Sequence, residues 1–531
     1  MKRISLIIIS VLAVLLASCD KFLDVLPDNR AEIDSEQKIQ SLLTSAYPDH
    51  DYIMVTEMLC DNVDKFNNTN VSGQFFEQLW HWEDITESNN ESPENIWGSF
   101  YQSISSANHA LQAIEQLVQD NGGEWTTSLR QERAEALVCR AYCHFILVNV
   151  FCMNYNQATS SKDLGITYME EPETTLAPKY SRGTVAEVYE KIERDLEEAL
   201  PEINDSYYKV PKYHFNPKAA YAFASRFYLY YEKWDKCVKY ADMCLGTAPK
   251  TMLRDYTKLA ANSTSFAAAS NLYIAAEENT NLLLLTAYAA LGTTFGPYTT
   301  NKKFAHGNYV AENETGKAQQ VWGESTDYYV PMKSYSGTNR QYVIFWRLPY
   351  LFEYTDPVAG TGFNRSVYPA FTADECLLNR AEANIMLKEY DKALADLNLW
   401  VENCIKTPVT LTAESIQKFY NTIDYSYSDD EGMVSTQKKH LNPAFQIDEE
   451  GSVQESMLQC VLSMRRIETM PQGIRWFDVK RYGIEIVRRQ MDAQGVPATL
   501  IDVLKKDDPR RAVQLPSRVI SAGMTPNPRN K

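Results

Sequence analysis

One figure occurs twice in this chain, and it restricts the fold more than any other stretch. Residues 217–245 carry Ala220, Ala224, Tyr228 and Tyr231, then Trp234-Asp235-Lys236-Cys237 and Ala241. Residues 374–404 carry Leu377, Arg380-Ala381-Glu382-Ala383 and Leu387, then Tyr390-Asp391-Lys392-Ala393 and Leu397. The shift that lays Trp234 on Tyr390 also lays Asp235-Lys236 on Asp391-Lys392. In both copies small and apolar residues fall three and four apart, an aromatic marks a turn, and the helical spacing resumes. Each copy reads as helix, tight turn, helix. Small residues on one face let helices approach closely, and a unit that cannot bury its apolar stripe alone has to stack on a neighbour.

The unit resembles a tetratricopeptide hairpin of about 34 residues. Pairs at about 97–151 and 184–232 extend the series to four hairpins, the first containing a long helix with Leu137, Ala141, Phe145 and Val148 on one side. The copies are separated by about 250–370, a segment rich in Thr, Asn, Gly, Tyr and Phe with no sustained helical period. A second polar stretch runs from 406 to 456. The expected fold is mainly α: tetratricopeptide-like helix hairpins forming an α-spine, at about 97–151, 184–245 and 374–404, with a large irregular, loop-rich insert.

The N-terminus places this fold in the cell. Met1-Lys2-Arg3 precedes an apolar run from Ile4 to Leu16, closed by Leu16-Ala17-Ser18-Cys19. Two positive charges and a short apolar run make an export signal rather than a spanning helix. The small residues before a cysteine resemble a bacterial lipobox, so residues 1–18 are the expected signal peptide and Cys19 the expected lipidated residue. Pro27 blocks an early helix, which makes 19–34 an extended, lipidated tether.

Composition removes several function classes. A formal charge of −17 lacks the basic footprint that nucleic acid requires. Ten cysteines include no C-x-x-C, and Cys139 with Cys143 falls within a helical pattern; most read as buried, free thiols. Seven scattered histidines offer no metal-ligand spacing, and neither metal nor cofactor is expected. The acidic group Asp424, Asp429, Asp430 and Glu431 lacks the ligand alternation of a calcium loop and reads as solvated. There is no G-x-S-x-G, P-loop or G-x-G-x-x-G, so binding is expected here rather than catalysis.

Several blocks in order carry a resemblance. They are Cys19-x-x-Phe22-Leu23-Asp24-x-x-Pro27; Asn95-x-Trp97-x-x-x-Tyr101-x-x-Ile104-x-x-x-Asn108; Arg133-Ala134-Glu135-Ala136 with Arg140-Ala141-Tyr142; Leu377 to Ala383; and Gly473-x-Arg475-Trp476-Phe477-Asp478-Val479-Lys480-Arg481. Together they resemble the SusD/RagB family of nutrient-capturing lipoproteins. Thr469 and Gln472 depart from the family pattern at positions that read as structural, and the insert matches poorly.

The resemblance implies one SusD-like domain over 35–531, on the cell surface and lipid-anchored in the outer membrane. Its implied partner is a SusC-like TonB-dependent transporter, and its implied ligand an oligosaccharide or polysaccharide. A RagB-like peptide ligand is the alternative, and a transporter-independent surface glycan hydrolase or adhesin a third reading. A sugar presents C–H faces and a rim of hydroxyls, which exposed aromatic rings edged by amides or charges complement. Two stretches have that make-up: Trp80, Trp82, Asn89 and Asn90 in an early loop, and Phe295, Tyr298, Tyr309 and Trp322 in the insert. Trp82 and Trp322, outside any apolar period, are the favoured platforms. Trp97 and Asn108 read as packing and capping residues, and Arg475, Asp478 and Arg481, at i,i+3,i+6, as an intrahelical ion pair or cap.

Overall fold

The computed structural model describes residues 33–529 except 68–72, 176–177, 263–264, 299–301, 335–341 and 430. The expected signal peptide, Cys19 and nearly all of the tether lie outside the described residues. Among the described residues 47% are helical and 12% in strands, over eighteen α-helices, so the mainly α expectation holds.

The principal helices are α1 (Glu36–Leu43), α2 (Ile53–Leu59), α3 (Gln74–Trp80), α4 (Pro93–Asp120), α5 (Thr127–Phe151), α6 (Val185–Ala199), α7 (Pro217–Tyr230), α8 (Trp234–Leu245), α9 (Ala373–Met386), α10 (Tyr390–Cys404), α11 (Ala413–Tyr420), α12 (Val453–Glu468) and α13 (Arg475–Arg481). Their starts follow local chemistry. Thr126 and Asn216 accept the backbone N–H of Leu129 and Ala219 at the heads of α5 and α7, Thr184 and Glu187 form a reciprocal capping box on α6, and Pro93 and Pro217 occupy first-turn positions. Helix α5 is long and apolar enough to cross a membrane, yet it is buried inside the protein and serves as a core helix.

The sequence repeat extends to the backbone. Helices α7–α8 and α9–α10 pack as antiparallel hairpins, and each turn contains one left-handed residue: Glu232 at φ 60° and Lys388 at φ 60°. In the first turn Lys233 N–H donates to Tyr228 O at 3.0 Å; in the second Glu389 N–H donates to Asn384 O at 2.8 Å. These are the same six-to-one closing bond at equivalent positions of the repeat.

Strands are few. β1 (Asp64–Lys65), β2 (Asn281–Ala287), β3 (Phe304–Ala305), β4 (Leu351–Asp356), β5 (Thr361–Thr372), β6 (Ile486–Met491) and β7 (Pro497–Leu504) form sheets ordered β3-β1-β6-β7 and β2-β5-β4. In the second sheet β2 pairs with the buried C-terminal half of β5, and β4 with its more exposed N-terminal half, so a hairpin projects from the core.

Helices α9, α12 and α13 are locked by a buried ionic lattice. Arg465 donates to Asp478 at 3.1 and 3.2 Å, Arg481 donates to Glu382 at 2.9 Å and to Asp478 at 2.8 Å, and Tyr482 donates to Glu382 at 2.8 Å. Burial alone would raise the Asp478 carboxyl, but Arg465 and Arg481 hold it below its ordinary value. Arg475 turns away from this helix and grips Asp61 at 2.9 and 2.8 Å. Arg475, Asp478 and Arg481, at i,i+3,i+6, therefore serve the Asp61 loop, α12 and α9 as well as an ion pair within their own helix. Gly473 sits at φ 74° with its N–H on Glu57 at 3.0 Å, and an added Cβ would lie 2.2 Å from Thr56 Oγ1. Thr469 and Gln472 also have structural partners: Thr469 donates to Arg465 O at 2.8 Å, and Gln472 to Tyr273 Oη at 2.9 Å. The nine described cysteines are free and buried. Asp429 closes its own loop, accepting the N–H of Met433 at 3.0 Å and of Val434 at 2.9 Å.

Candidate functional site

The tryptophans picked from the sequence are core residues. Trp80 and Trp82 are buried because Arg488 needs them. Its guanidinium donates to the carbonyls of Met58, Leu59, Cys60, Val63 and Trp80, and lies 5.1 Å from the Trp80 ring and 4.5 Å from the Trp82 ring. Both indole N–H groups are spent inside, on Val63 O at 3.0 Å and Leu59 O at 2.9 Å. Trp322 is buried too, donating to Tyr328 Oη at 2.7 Å and standing edge-on to Trp400 at 5.5 Å. These rings offer no face to a ligand.

The other expected residues divide. Phe295 is buried, and its carbonyl accepts Phe345 N–H at 3.1 Å. Tyr309 is half-buried under Arg489 at 5.4 Å, with its hydroxyl 3.5 Å from Met433 O. Asn89 makes a turn for α4, its Oδ1 accepting Glu91 N–H at 2.9 Å and its carbonyl accepting Ser92 N–H; Asn90 is half-buried beside it. Tyr298 alone of the eight is markedly exposed, at 47%.

Around Tyr298 the insert builds an aromatic face from two groups of touching rings. The ring of Phe266 lies 5.9 Å from Trp346 and 5.1 Å from Tyr298, and Tyr298 lies 5.1 Å from Tyr350. Tyr350 immediately precedes β4, in which Phe352 and Tyr354, two residues apart, share one side of the strand. Phe352 and Tyr354 are 4.9 Å apart. Tyr350 and Tyr354 are 43% and 59% exposed, in a protein that buries most of its large rings. The register places Asn364 of β5 opposite Phe352, supplying an amide beside the rings.

Two glycines make the face possible. Gly292 lets its short helix abut the irregular segment that leads into β4; an added Cβ would stand 2.3 Å from Pro349 O. Gly362 lies opposite Tyr354, and a Cβ there would come within 2.9 Å of the Phe352 ring. Lys302 pins the turn that carries Tyr298 by donating to Gly296 O at 2.7 Å, and burial pushes its ammonium down to about 7.

At the Trp346 end the Lys333 ammonium lies 3.8 Å from the ring centroid. Arg347 fastens the segment to the end of α12 through Glu468 O and, just beyond that helix, to Met470 O at 2.6 Å. The cleft between them holds about 60 Å³, far below the roughly 300 Å³ and more of an enclosing ligand pocket. The insert therefore offers a surface, suited to a long ligand lying across it. On the hairpin's other side Phe363 lies 5.5 Å from Tyr288, and Arg365 lies 3.6 Å over that ring while pairing with Glu353.

Sequence reasoning missed Phe266, Trp346, Tyr350, Phe352 and Tyr354. The alternation Tyr350, Phe352, Tyr354 is a period-two signal that could have found the last three.

Comparison with known proteins identifies the chain. Residues 21–229 match a SusD-like family model described as starch-binding, associating with the outer membrane, and residues 272–511 match that of the SusD family. No curated protein matches. Among solved structures, a putative sugar binding protein from Bacteroides vulgatus superposes with a TM-score of 0.65 at 18% identity, over 94% of this chain and 99% of that one. A SusD superfamily protein from Bacteroides thetaiotaomicron gives 0.62 at 17%, over 94% and 100%. A SusD-like carbohydrate binding protein from Bacteroides vulgatus gives 0.61 at 14%, over 92% and 96%. At such identities the structures establish the shared fold, while the two sequence matches, which lie in chain order, establish that this protein belongs to the SusD/RagB family.

Proposed function

We propose that this protein is a cell-surface lipoprotein, anchored at Cys19, that captures a carbohydrate oligomer on the aromatic face of the insert. It then passes the ligand, as a lid, to a SusC-like TonB-dependent outer-membrane transporter. The observation that carries the reading is the series Trp346, Phe266, Tyr298, Tyr350, Phe352 and Tyr354, with three tyrosines exposed. Sugar C–H faces stack on such rings, while Asn364, Lys333 and the tyrosine hydroxyls meet the rim of sugar hydroxyls. Two structures with this fold are named for sugar or carbohydrate binding, which supports the ligand class. The mechanism is capture and hand-over, with no bond broken.

Affinity electrophoresis against a panel of neutral polysaccharides tests the ligand, and co-purification from the native membrane tests the transporter. Retardation by at least one polysaccharide without release of reducing sugar is expected. Retention of an extended peptide and of no polysaccharide would replace the carbohydrate by a RagB-like peptide ligand. Reducing sugar in the assay would make the protein an enzyme.

A further inference from the structure

A second cavity, sharing no lining residue with the aromatic face, lies on the outer side of α4. It holds about 370 Å³ and is walled by the first turns of α4, the strap that follows α5 and the C-terminal segment around Val519. The strap is fixed to the helix, with Tyr101 donating to Thr167 O at 2.8 Å and Asn108 to Met169 O at 3.1 Å. Trp97 and Tyr101, with rings 4.9 Å apart, and Tyr180 supply aromatic lining; Glu171 and Glu173 supply two carboxylates. Among the described residues no Lys, Arg or His lines the cavity.

Most cations nearby in sequence are committed elsewhere, and Lys179, exposed between Pro178 and Tyr180, makes no ion pair with either carboxylate among the described residues. Arg182 donates to Gly165 O, Leu164 O and Asn527 Oδ1; Arg140 holds Asp195 and Asn108; Lys191 and Arg194 pair with Glu170; and Arg518 pairs with Glu94. Among the described residues Glu171 and Glu173 have no ion-pair partner, Glu173 accepting only from the Tyr180 hydroxyl. Gly98 completes the picture. It lies in the interior of α4, where glycine costs about 0.5–1 kcal/mol relative to alanine, yet an added Cβ would meet nothing within 4 Å. Nothing in the fold requires that glycine, and its missing side chain keeps the floor of the cavity open.

We infer that this cavity is a binding site for an organic cation carried on an apolar shank, an alkylammonium or guanidinium. The rings take the shank and the charge, and Glu171 and Glu173 neutralise it. Either a free amine or a Lys or Arg side chain of a partner protein presents that chemistry.

Calorimetry on the purified protein with agmatine, against uncharged 1,5-pentanediol, tests the site. Saturable binding of agmatine and none of the diol is expected. Gly98→Leu fills the floor without disturbing the fold, and the double variant E171Q/E173Q removes the charge; each should weaken agmatine at least ~10-fold with the melting temperature held. Stronger binding of a Gly-Gly-Arg-Gly-Gly peptide than of agmatine would assign the site to a partner protein's side chain, and the reverse to a free amine. Equal binding of the diol, undiminished agmatine binding by either variant, or no saturable heat from either cationic probe would overturn the inference. Polysaccharide retardation in Gly98→Leu should equal wild type, which separates this site from the aromatic face.

Discussion

The helical body and the insert use the same residue types in opposite ways. In the body, tryptophans lie against buried guanidiniums: Trp80 and Trp82 flank Arg488, and their N–H groups satisfy interior carbonyls. In the insert, tyrosines and phenylalanines touch one another along a strand and keep their outer faces in water. The body uses its aromatic surface to enclose charge that sequence-distant segments share; the Tyr298, Tyr350 and Tyr354 face of the insert leaves it free. An aromatic ring is thus a structural part where a buried cation or carbonyl claims it, and a binding surface where nothing does.

The contrast breaks most sharply under substitution of the buried lattice. Arg465→Ala leaves Asp478 and Glu382 short of a cation in the interior and should cost about 3–5 kcal/mol by chemical denaturation. Trp82→Ala should cost about 3 kcal/mol, through lost packing and an exposed Arg488, while polysaccharide retardation of the folded fraction stays at the wild-type value.

A buried histidine gives the body a pH signature. His144 is stacked on Tyr168 at 3.7 Å, its Nδ1 donating to Arg140 O at 2.8 Å and its Nε2 accepting Met169 N–H at 3.0 Å. Burial pulls the imidazole from 6.5 down to about 3. Below pH 6.5 the unfolded chain binds the proton more readily, so this contribution is complete above pH 6.5 and declines toward pH 3. His144→Gln should therefore cost about 1–3 kcal/mol at pH 7.5, with the gap to wild type shrinking by more than half at pH 4.5. A gap independent of pH would mean the imidazole is not held neutral.

The smallest stability effects belong to the insert. Tyr298→Ala and Tyr354→Ala should each leave stability within about 0.5 kcal/mol of wild type and weaken polysaccharide binding by about 1 kcal/mol.

Much of the body was legible in the sequence because its signals are local. The recurring hairpin and the arginine-rich α13 each declare themselves in the spacing of one short stretch. The candidate site was less so. Trp82 and Trp322 fall outside any apolar period, which suggested exposure, but what buries them is Arg488 and Trp400, hundreds of residues away for the first and dozens for the second. Tyr298 was identified, yet its neighbours Phe266 and Tyr350 meet it only through close approaches that Gly292 and Gly296 permit. Ring exposure depends on tertiary partners, and no local pattern reports it.

The most direct test combines Tyr298→Ala, Tyr350→Ala and Tyr354→Ala in one protein, with affinity for a retarding polysaccharide and melting temperature measured together. A loss of about a hundredfold in affinity at an unchanged melting temperature is predicted, as three stacking contacts of about 1 kcal/mol each require. Unchanged affinity in a folded triple variant would contradict the account and move the ligand off this face.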